Sequence, residues 1–482
     1  MKNYRDIKEF IKVLKEKNLI VEIEAEVDWD LEITEITDII SKKNGKALLF
    51  NHVKGSRYPV LINTFGSYER MALALGVKDI NDIKDEIVKF LDLSNYQSLK
   101  DKIKAIPSLL PLPFIFPQKV KNGKCQEVIE KNPDLTQLPV LKCWPQDGGR
   151  FITLPMVFTV DPETRQQNAG MYRMQVYDEK TTGMHWHMHK DGKKIYDKYR
   201  KLGIRKMPVS VAIGCDPATV YASTAPLPQN IDELLFSGFL RKKAVKTVKC
   251  ITNDIYVPAY SEFILEGYVD IDETRIEGPF GDHTGYYSLK DKYPVFHVEL
   301  ITHQKEPVYM ATVVGQPPME DCYMGKATER IFLPLIKMQC PEIIELNLPL
   351  EGVFHNCAIV SIDKQFPHHA RKIMNSLWGM GQMMYTKMII VVDKDVNPHD
   401  LSKVMWKVFN NIDAKRDLVI SEGPLDALDH SSDTPLFGNR LGIDATKKWE
   451  TEGHTREWPD DVTMSDEIIR KVKARWGEYG ID

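Results

Sequence analysis

The segment EGPFGDHTGYY (277–287) concentrates ionisable groups on one short loop, called the acidic loop below. Glu277 and Asp282 flank a Gly-Pro-Phe-Gly sequence, in which the glycines permit sharp turns and the proline restricts one of them. Such a loop is expected to be rigid, and two carboxylates near an arginine can divide acid and base roles. An ordinary Gly/Pro hairpin with solvated acids explains the same residues.

A second polar cluster lies in QNAGMYRMQVYD (167–178), where Asn168 precedes Arg173 by five residues. The apolar residues that follow Arg173 predict a strand. On residue types alone, this is equally well a binding site or a turn that enters a strand with a solvated arginine.

Three histidines, His185, His187 and His189, alternate in GMHWHMHKDG (183–192). In an extended chain they point to one face, as the H-x-H pairs of some zinc enzymes do, so a three-histidine zinc site is one hypothesis. A single histidine that shares a metal with oxygen ligands from elsewhere is another, and that set suits Mn²⁺ or Mg²⁺ better than zinc. Solvated or hydrogen-bonded histidines are the alternative to both.

Composition predicts a soluble, cytoplasmic, globular protein with more than one domain. The chain has 482 residues, 43% of them hydrophobic, and a net charge of −4. Neither a basic stripe for nucleic acid nor a run of roughly 18 apolar residues for a membrane span is present. The seven dispersed cysteines lack a C-x-x-C pair, which favours reduced thiols.

Alternating helix and strand patterns predict an N-terminal α/β domain over residues 1–103. An amphipathic helix begins near Ile7, and the alternation in VEIEAEV (21–27) predicts a half-exposed strand. Further predicted elements are a helix over 31–42 and strands over 47–50 and 58–63. Residues 104–149 are rich in proline and are predicted to form an extended connection.

Short strand patterns dominate residues 150–320, including VYMATVV (308–314), and predict a closed or split β-barrel. Residues 321–482 return to alternating helices and strands, which predicts a second α/β domain. The helices are predicted near 193–202, 231–240, 326–338, 368–379 and 400–410, and the last strands near 356–362 and 387–393. A final helix over 464–476 is predicted to pack outside this domain, on another subunit.

The order of the motifs resembles a known family. The series N-x-x-x-Y-R, M-H-W-H, a helix bearing Glu233, EGPFGDHTGYY and Y-T-K (385–387) is similar to the UbiD family of reversible decarboxylases. The similarity extends to NDIYVPAYSEFILEGYV (253–269), QPPMED (316–321) and LGIDATKKW (441–449), and so covers nearly the whole chain. It implies an α/β multidomain fold, in which a split β-barrel related to flavin reductases lies between two α/β domains.

Members of this family use prenylated FMN to remove CO2 from aromatic or α,β-unsaturated acids. The resemblance implies that a divalent metal, Mn²⁺ or in its place Mg²⁺, grips the cofactor phosphate, and it allows K⁺ as a further ion. The implied metal ligands are Asn168, His187 and Glu233. The implied cofactor-binding residues are Asn168, Met171, Tyr172, Arg173, His185, Trp186, His187, Lys190, Asp191, Glu233 and Lys387.

The resemblance also implies a catalytic trio of Arg173, Glu277 and Asp282. Loss of CO2 from an aryl acid leaves an unstabilised carbanion, so the cofactor must take up the electrons. Arg173 is then expected to hold the leaving carboxylate, and Glu277 to fix the direction of Arg173. Asp282 is expected to be the general acid and base, and burial beside an apolar substrate is expected to keep it partly protonated near neutral pH.

Asp282 bears on the substrate, because members that act on acrylic acids commonly carry Glu at this position. Asp is typical of the hydroxybenzoate branch, so the motif is closest to the 3-polyprenyl-4-hydroxybenzoate decarboxylases. Polyprenyl-hydroxybenzoates, small phenolic acids and dihydroxynaphthoates stay open as substrates, as does the direction of the reaction.

The implied partners are the aromatic acid and CO2, a flavin prenyltransferase that supplies the cofactor, and further copies of the chain in a dimer or hexamer. A prenylated substrate would add contact with a membrane surface, and no nucleic acid is expected. Two other functions stay open: a metal-dependent hydrolase built on the HWHMH segment, and a non-catalytic flavin-binding protein. The intact trio disfavours the second, because binding alone does not need it.

Overall fold

A computed structural model of the chain describes residues 3–94, 114–187, 190–227 and 231–481. Its N-terminal elements are α1 (Ile7–Glu16), β1 (Ile20–Ile23), α2 (Glu32–Lys42), β2 (Ala47–Phe50), β3 (Val60–Ile62), α3 (Tyr68–Ala74) and α4 (Asp82–Ser94). The three strands lie side by side in chain order, β1 parallel to β2 and β2 antiparallel to β3. This part of the chain is therefore a small sheet with helices, as predicted.

The strand predicted over VEIEAEV is wrong in its length and in its buried face. The strand ends at Ile23, Val21 is 42% exposed, and Ala25 is exposed in the bend that follows. The reason is position: within the described residues β1 pairs only with β2, so its outer edge meets solvent. Val27 re-enters the core through a bridge to Val53.

The middle of the chain is mostly antiparallel sheet. Its strands are β4 (Gln118–Val120), β5 (Val128–Glu130), β6 (Arg150–Ile152), β7 (Pro155–Val160), β8 (Gln167–Met171), β9 (Met174–Val176), β10 (Thr181–Gly183), β11 (Lys206–Ile213), β12 (Lys246–Lys249), β13 (Tyr256–Pro258), β14 (Phe263–Glu277), β15 (Phe280–Gly281), β16 (Tyr287–Ser288), β17 (Asp291–His303) and β18 (Tyr309–Met310). Its helices are α5 (Asp191–Lys201), α6 (Pro217–Ala222) and α7 (Glu233–Arg241).

A nine-stranded sheet runs in the order β6-β9-β10-β17-β14-β11-β7-β8, with β5 also paired to β17. The long hairpin of β14 and β17 forms its centre, and the register shifts after Glu266 and after Asp270. Such irregularities bend a strand and increase its twist, so the sheet curls into a half-barrel. Gly267 lies at the first of them, where a Cβ would come within 1.9 Å of the His297 carbonyl oxygen.

The sequence analysis assigned VYMATVV to the β-barrel, and that assignment is wrong for strand β18. The barrel does not use it: Tyr309 and Met310 pair in parallel with Val60 and Leu61 of β3. The N-terminal sheet thus has four strands, the last contributed from more than two hundred residues along the chain. This pairing ties the two parts together, and sequence periodicity cannot reveal which sheet a strand joins.

The C-terminal part is a five-stranded mixed sheet with helices. Its elements are α8 (Glu320–Gln339), β19 (Ile343–Asn347), β20 (Cys357–Ile362), α9 (His369–Trp378), β21 (Met388–Asp393), α10 (Leu401–Asn411), α11 (Ala414–Asp417), β22 (Leu418–Pro424), β23 (Phe437–Asp444) and α12 (Asp466–Ala474). The strand order is β19-β20-β21-β23-β22, with β21 parallel to both neighbours. Helix α12 buries none of its residues in this chain, and its packing on another subunit stays a prediction.

The predicted fold class is confirmed: an α/β multidomain chain with a central half-barrel. The proposed boundaries at residues 103, 149 and 320 stay predictions, and Pro107, Pro111 and Pro113 of the connection lie outside the described residues. All seven cysteines are free. Within the described ranges, no helix is both long and apolar enough to span a bilayer.

The packing around Phe263 gives a stability prediction. Phe263 on β14 is fully buried, and its ring lies 5.0 Å from Tyr58 and 6.1 Å from Tyr309. Because it joins the half-barrel to the N-terminal sheet, Phe263→Ala is expected to lower the free energy of unfolding by about 3–5 kcal/mol. Urea denaturation measures this change. Ile251→Ala, at a half-exposed side chain, is the control and should cost less than about 1 kcal/mol; equal losses would contradict the assignment.

Candidate active site

The acidic loop lies at the turn of the central hairpin. Glu277 is the last residue of β14, and Asp282 directly follows the short strand β15. Gly278 has φ +93°, a backbone conformation that favours glycine. A Cβ on Gly281 would lie 2.2 Å from Trp144, so the loop also needs glycine for close packing.

Two buried side chains from outside the loop hold its backbone. Asp147 accepts a hydrogen bond from the Gly281 N–H at 2.7 Å, and Gln175 accepts one from the Gly278 N–H at 2.8 Å. The Gly148 N–H donates to the Pro279 carbonyl at 2.8 Å. The end of the proline-rich connection therefore fixes the loop, as the rigid-loop hypothesis requires.

Arg173 is the centre of the site. It lies between β8 and β9, and its Nε donates to Glu277 Oε1 at 3.1 Å. Its Nη1 pairs with Asp282 Oδ2, and its Nη2 donates to Ser288 Oγ at 3.0 Å. Its guanidinium carbon also lies 4.5 Å from the centroid of the Phe280 ring. One arginine therefore joins both acids of the loop.

The site is closed to bulk water. Glu277 is 1% exposed and Asp282 7% exposed, and the Arg173 side chain is 9% exposed. The two alternatives that assumed solvated side chains, a plain Gly/Pro hairpin and a solvated arginine, are therefore wrong. Buried charges must be paired, and here each acid is paired with the same cation.

The charged neighbours of Asp282 determine its protonation before substrate binds. Burial alone would raise its pKa, but the hydrogen bond from His283 and the charge of Arg173 hold the pKa well below its usual range. Asp282 is therefore a carboxylate at neutral pH before substrate binds. Two cationic neighbours here outweigh the effect of burial, and partial protonation of Asp282 beside an apolar substrate stays a prediction.

The histidine motif is not a strand beyond Gly183, but His185 and His187 do face the same way. Their Nε2 atoms lie 2.5 Å apart, and His185 Nδ1 lies 2.8 Å from Glu277 Oε1. His189 lies outside the described residues. Within the described ranges, no group of three His, Cys, Asp or Glu side chains is arranged to hold a metal ion. Because His189 is not among the described residues, the three-histidine zinc site and the hydrolase built on it stay predictions.

Asn168 and Glu233 meet, as predicted for two ligands of one metal. Asn168 Nδ2 donates to Glu233 Oε1 at 2.9 Å, and the Ala169 N–H donates to Glu233 Oε2 at 3.0 Å. Asn168 Oδ1 is buried and has no hydrogen-bond partner. Burial raises the pKa of Glu233 to about 7. An unpartnered amide oxygen beside a buried acid fits a cation with oxygen ligands. His187 is bonded to His185 instead, so its role as third ligand stays a prediction.

The other predicted cofactor-binding residues lie on several elements, and their role stays a prediction. The Met171 N–H donates to the Ser223 carbonyl at 3.0 Å, and the buried rings of Tyr172 and Trp186 lie 6.5 Å apart at 90°. Lys190 caps α5, which begins with Asp191. Lys387, just before β21, pairs with Asp429 at 2.8 Å in the C-terminal part.

Several site residues escaped sequence reasoning. Phe280 lies within the motif and Ser288 just after it, so their short distance in sequence from Glu277 could have identified both as site residues. Asp147 gives no such signal, nor does His355, whose Nε2 lies 2.8 Å from that of His283 on the loop. His355 is distant in sequence and carries no motif, so only the fold brings it to the site.

Family models match most of the chain. The N-terminal domain of the 3-octaprenyl-4-hydroxybenzoate carboxy-lyase (UbiD) family matches residues 11–89. Its Rift-related domain matches residues 118–317, and its C-terminal domain matches residues 322–445.

Relatives and solved structures are similar to this chain over nearly its whole length. A protein of Archaeoglobus fulgidus, described as uncharacterized, is 51% identical over 476 residues, which are 98% of each chain. The closed form of vanillic acid decarboxylase from Sedimentibacter hydroxybenzoicus has a TM-score of 0.85 and 27% identity, covering 99% of this chain and 100% of that one. The UbiD-class enzyme HmfF from Pelotomaculum thermopropionicum, in complex with FMN, has a TM-score of 0.80 and 25% identity, covering 95% of this chain and 97% of that one. With its buried trio, its half-barrel and these matches, the chain belongs to the UbiD family of carboxy-lyases.

Proposed function

We propose that this carboxy-lyase decarboxylates a hydroxyaryl carboxylic acid with prenylated FMN as its cofactor. The observation that carries the proposal is Arg173, buried between Glu277 and Asp282 on a fixed loop. The vanillic acid decarboxylase and the FMN complex of HmfF support the substrate class and the flavin. A polyprenyl-hydroxybenzoate, a small phenolic acid and a dihydroxynaphthoate are the substrates to test, and a flavin prenyltransferase is the proposed source of the cofactor.

The described residues fit a cofactor that carries a phosphate and a divalent cation. Asn168 Oδ1 is buried without a partner beside Glu233, which supports Mn²⁺ or Mg²⁺ bound there through oxygen ligands. A cation at this point would also keep Glu233 ionised and neutralise phosphate charge. When bound, prenylated FMN supplies the electron sink that aryl decarboxylation needs.

Arg173 would bind and orient the substrate carboxylate. Its guanidinium offers planar N–H donors that match a carboxylate, and Glu277 fixes its direction through Nε. His185 Nδ1 donates to the same oxygen of Glu277 and so helps to hold that acid in place. The Nη1 atom that now pairs with Asp282 is the donor that substrate would share or take over.

Asp282 would carry the proton. Decarboxylation leaves an electron pair on the ring carbon, which must receive a proton, and the reverse reaction must remove one. When substrate arrives, Asp282 can give up its ion pair with Arg173 and take up a proton. Such a carboxyl group is suited to both decarboxylation and carboxylation. Because Asp282 is a carboxylate before substrate binds, the proton must reach it during the cycle.

The trio gives the first activity prediction. Protein produced together with a flavin prenyltransferase is expected to release CO2 from at least one hydroxyaryl acid. Asp282→Asn and Arg173→Ala should each lower that rate at least about 100-fold, since one loses the proton carrier and the other the carboxylate site. CO2 release measured by a coupled assay tests this expectation.

The matched control is Arg205→Ala, which removes a 72% exposed side chain that pairs with Asp270 at 3.0 Å, outside the site. It should leave activity within about twofold, because Arg205 extends into solvent and an ion pair that water screens contributes little. Unchanged activity in both Asp282→Asn and Arg173→Ala would overturn the proposed function.

Glu233 gives a prediction on metal content. Glu233→Gln removes the charged oxygen ligand and should lower Mn²⁺ affinity by at least about tenfold, with loss of bound flavin. Elemental analysis and flavin absorbance of the purified protein measure both. Asp232→Asn is the matched control, because this neighbouring acid caps α7 by accepting from the Leu235 N–H at 2.8 Å, and asparagine caps equally well. Full Mn²⁺ and flavin content in Glu233→Gln would rule out this metal site.

A further inference from the structure

A hydrogen-bonded chain of side chains leads away from Asp282 on the side opposite Arg173. Asp282 Oδ1 lies 2.8 Å from His283 Nδ1, and His283 Nε2 lies 2.8 Å from His355 Nε2. The His283 backbone N–H also donates to Asp282 Oδ1 at 2.8 Å. The ring of Phe354 stacks on His283 at 5.1 Å between centroids. This series of hydrogen bonds joins the acidic loop to the segment before β20. None of its three residues is among the predicted metal ligands.

The geometry restricts where the protons lie. A carboxylate only accepts hydrogen bonds, so His283 Nδ1 must carry a hydrogen toward Asp282. Between the two Nε2 atoms there is room for one hydrogen, so one ring donates and the other accepts. His355 Nδ1 is buried without a hydrogen-bond partner in the described part of the chain.

The surrounding charges decide which ring is the donor. Burial opposes a charge on His283, but Asp282, Asp321 and Asp426 face it and raise its pKa above the usual value. Burial and the charge of His283 lower the pKa of His355 to about 4, and Lys190 acts in the same direction. His283 is therefore the doubly protonated ring, and His355 is a neutral acceptor at Nε2.

The reaction needs a proton that Asp282 does not hold. An aryl carboxylate that loses CO2 keeps the electron pair of the broken carbon–carbon bond, and one proton must be added at that carbon in each turnover. Arg173 and His283 keep Asp282 ionised before substrate binds. Asp282 can therefore relay the proton, but another group must hold it first.

We propose that His283 stores the proton that Asp282 delivers to the substrate carbon, and that His355 holds His283 in the orientation for this transfer. The inference rests on the proposed function. The proton passes from His283 Nδ1 to Asp282 Oδ1, and the carboxyl group carries it to the carbon that has lost CO2. His283 is left neutral and regains a proton from water, to which its side chain is 19% exposed. In carboxylation each transfer runs in reverse.

His355 is a positioning residue in this scheme. Its Nε2 lone pair receives the second N–H of His283, and Phe354 covers one face of the His283 ring, so the ring cannot turn Nδ1 away from Asp282. A side chain with an acceptor at the same reach should replace His355 in part, whereas an apolar one should not. His355→Gln and His355→Leu separate these cases.

The first test reads protonation directly and needs no activity. ¹⁵N NMR of histidine-labelled protein, with signals assigned by loss in His283→Gln and His355→Gln, should show His283 protonated on both nitrogens at pH 7. His355 should be neutral with its hydrogen on Nδ1. Asp282→Asn should lower the pKa of His283, because it removes the facing charge. A neutral His283 at pH 7 overturns the proposal whatever the enzyme's activity.

The second test separates proton transfer from loss of CO2. Glutamine at 283 can still donate a hydrogen bond to Asp282 but cannot give up a proton. His283→Gln should therefore slow product formation and ring C–H/D exchange at least about tenfold. Exchange of ¹³C-bicarbonate into the acid substrate, which breaks and re-forms only the carbon–carbon bond, should stay within about twofold. Equal losses in both rates, or none in either, would show a structural role and overturn the proposal.

The control is His297→Gln, which removes a histidine paired with Glu273 at 2.6 Å on the half-barrel, away from the acidic loop. It should leave all rates unchanged. Wild-type protein that releases no CO2 from the acid panel overturns the proposed function, and this result is seen before any variant is compared. A wild-type enzyme that is active and has a neutral His283 overturns the proton store alone.

Discussion

The buried charge of Arg173 is the interaction on which the rest of the site depends. Transferring a guanidinium and two carboxylates out of water is costly, and their attraction offsets that cost only with good geometry. Here Glu277 takes Nε and Asp282 takes Nη1 of the same group, with Phe280 against its face. Removing any one partner leaves a buried charge uncompensated, so the three residues fix one another's ionisation as well as their positions. The same charge explains why Asp282 is a carboxylate before substrate binds.

That arrangement needs a backbone that does not move, and the fold supplies it from several directions. The hairpin of β14 and β17 presents the loop, while Asp147 and Gln175 bond its backbone N–H groups from the connection and from β9. Arg173 arrives from the turn between β8 and β9, next to the strand that carries Asn168. The curled sheet therefore carries Asn168 and Glu277 and the turn with Arg173, whereas Glu233 comes from α7 and Asp282 from the acidic loop.

Sequence reasoning reached the parts of this structure that are encoded locally. Helices such as α9 and α10 have amphipathic periods long enough to read, and the motif order placed Arg173, Glu277 and Asp282 in one site. Sequence reasoning failed where strand pairing, exposure or pKa depends on residues that are far away in the sequence. The exposure of Val21 depends on β1 lying at a sheet edge, and β18 joins β3 instead of the barrel. The low pKa of Asp282 depends on Arg173 and His283 together, and His355 comes to the loop only through the fold. Burial of Asp282 was foreseen, but the hydrogen bond from His283 that helps to lower its pKa was not.

The central claim is that Arg173 receives the carboxylate of an aryl acid while Glu277 keeps its orientation. The most direct measurement is a crystal structure of the cofactor-loaded protein with a hydroxybenzoate bound in the site. The account predicts the substrate carboxylate within hydrogen-bond distance of the Arg173 guanidinium, with the bond from Nε to Glu277 intact and Asp282 turned toward the ring carbon. A carboxylate bound away from Arg173, with both acids still paired to it, would contradict the account.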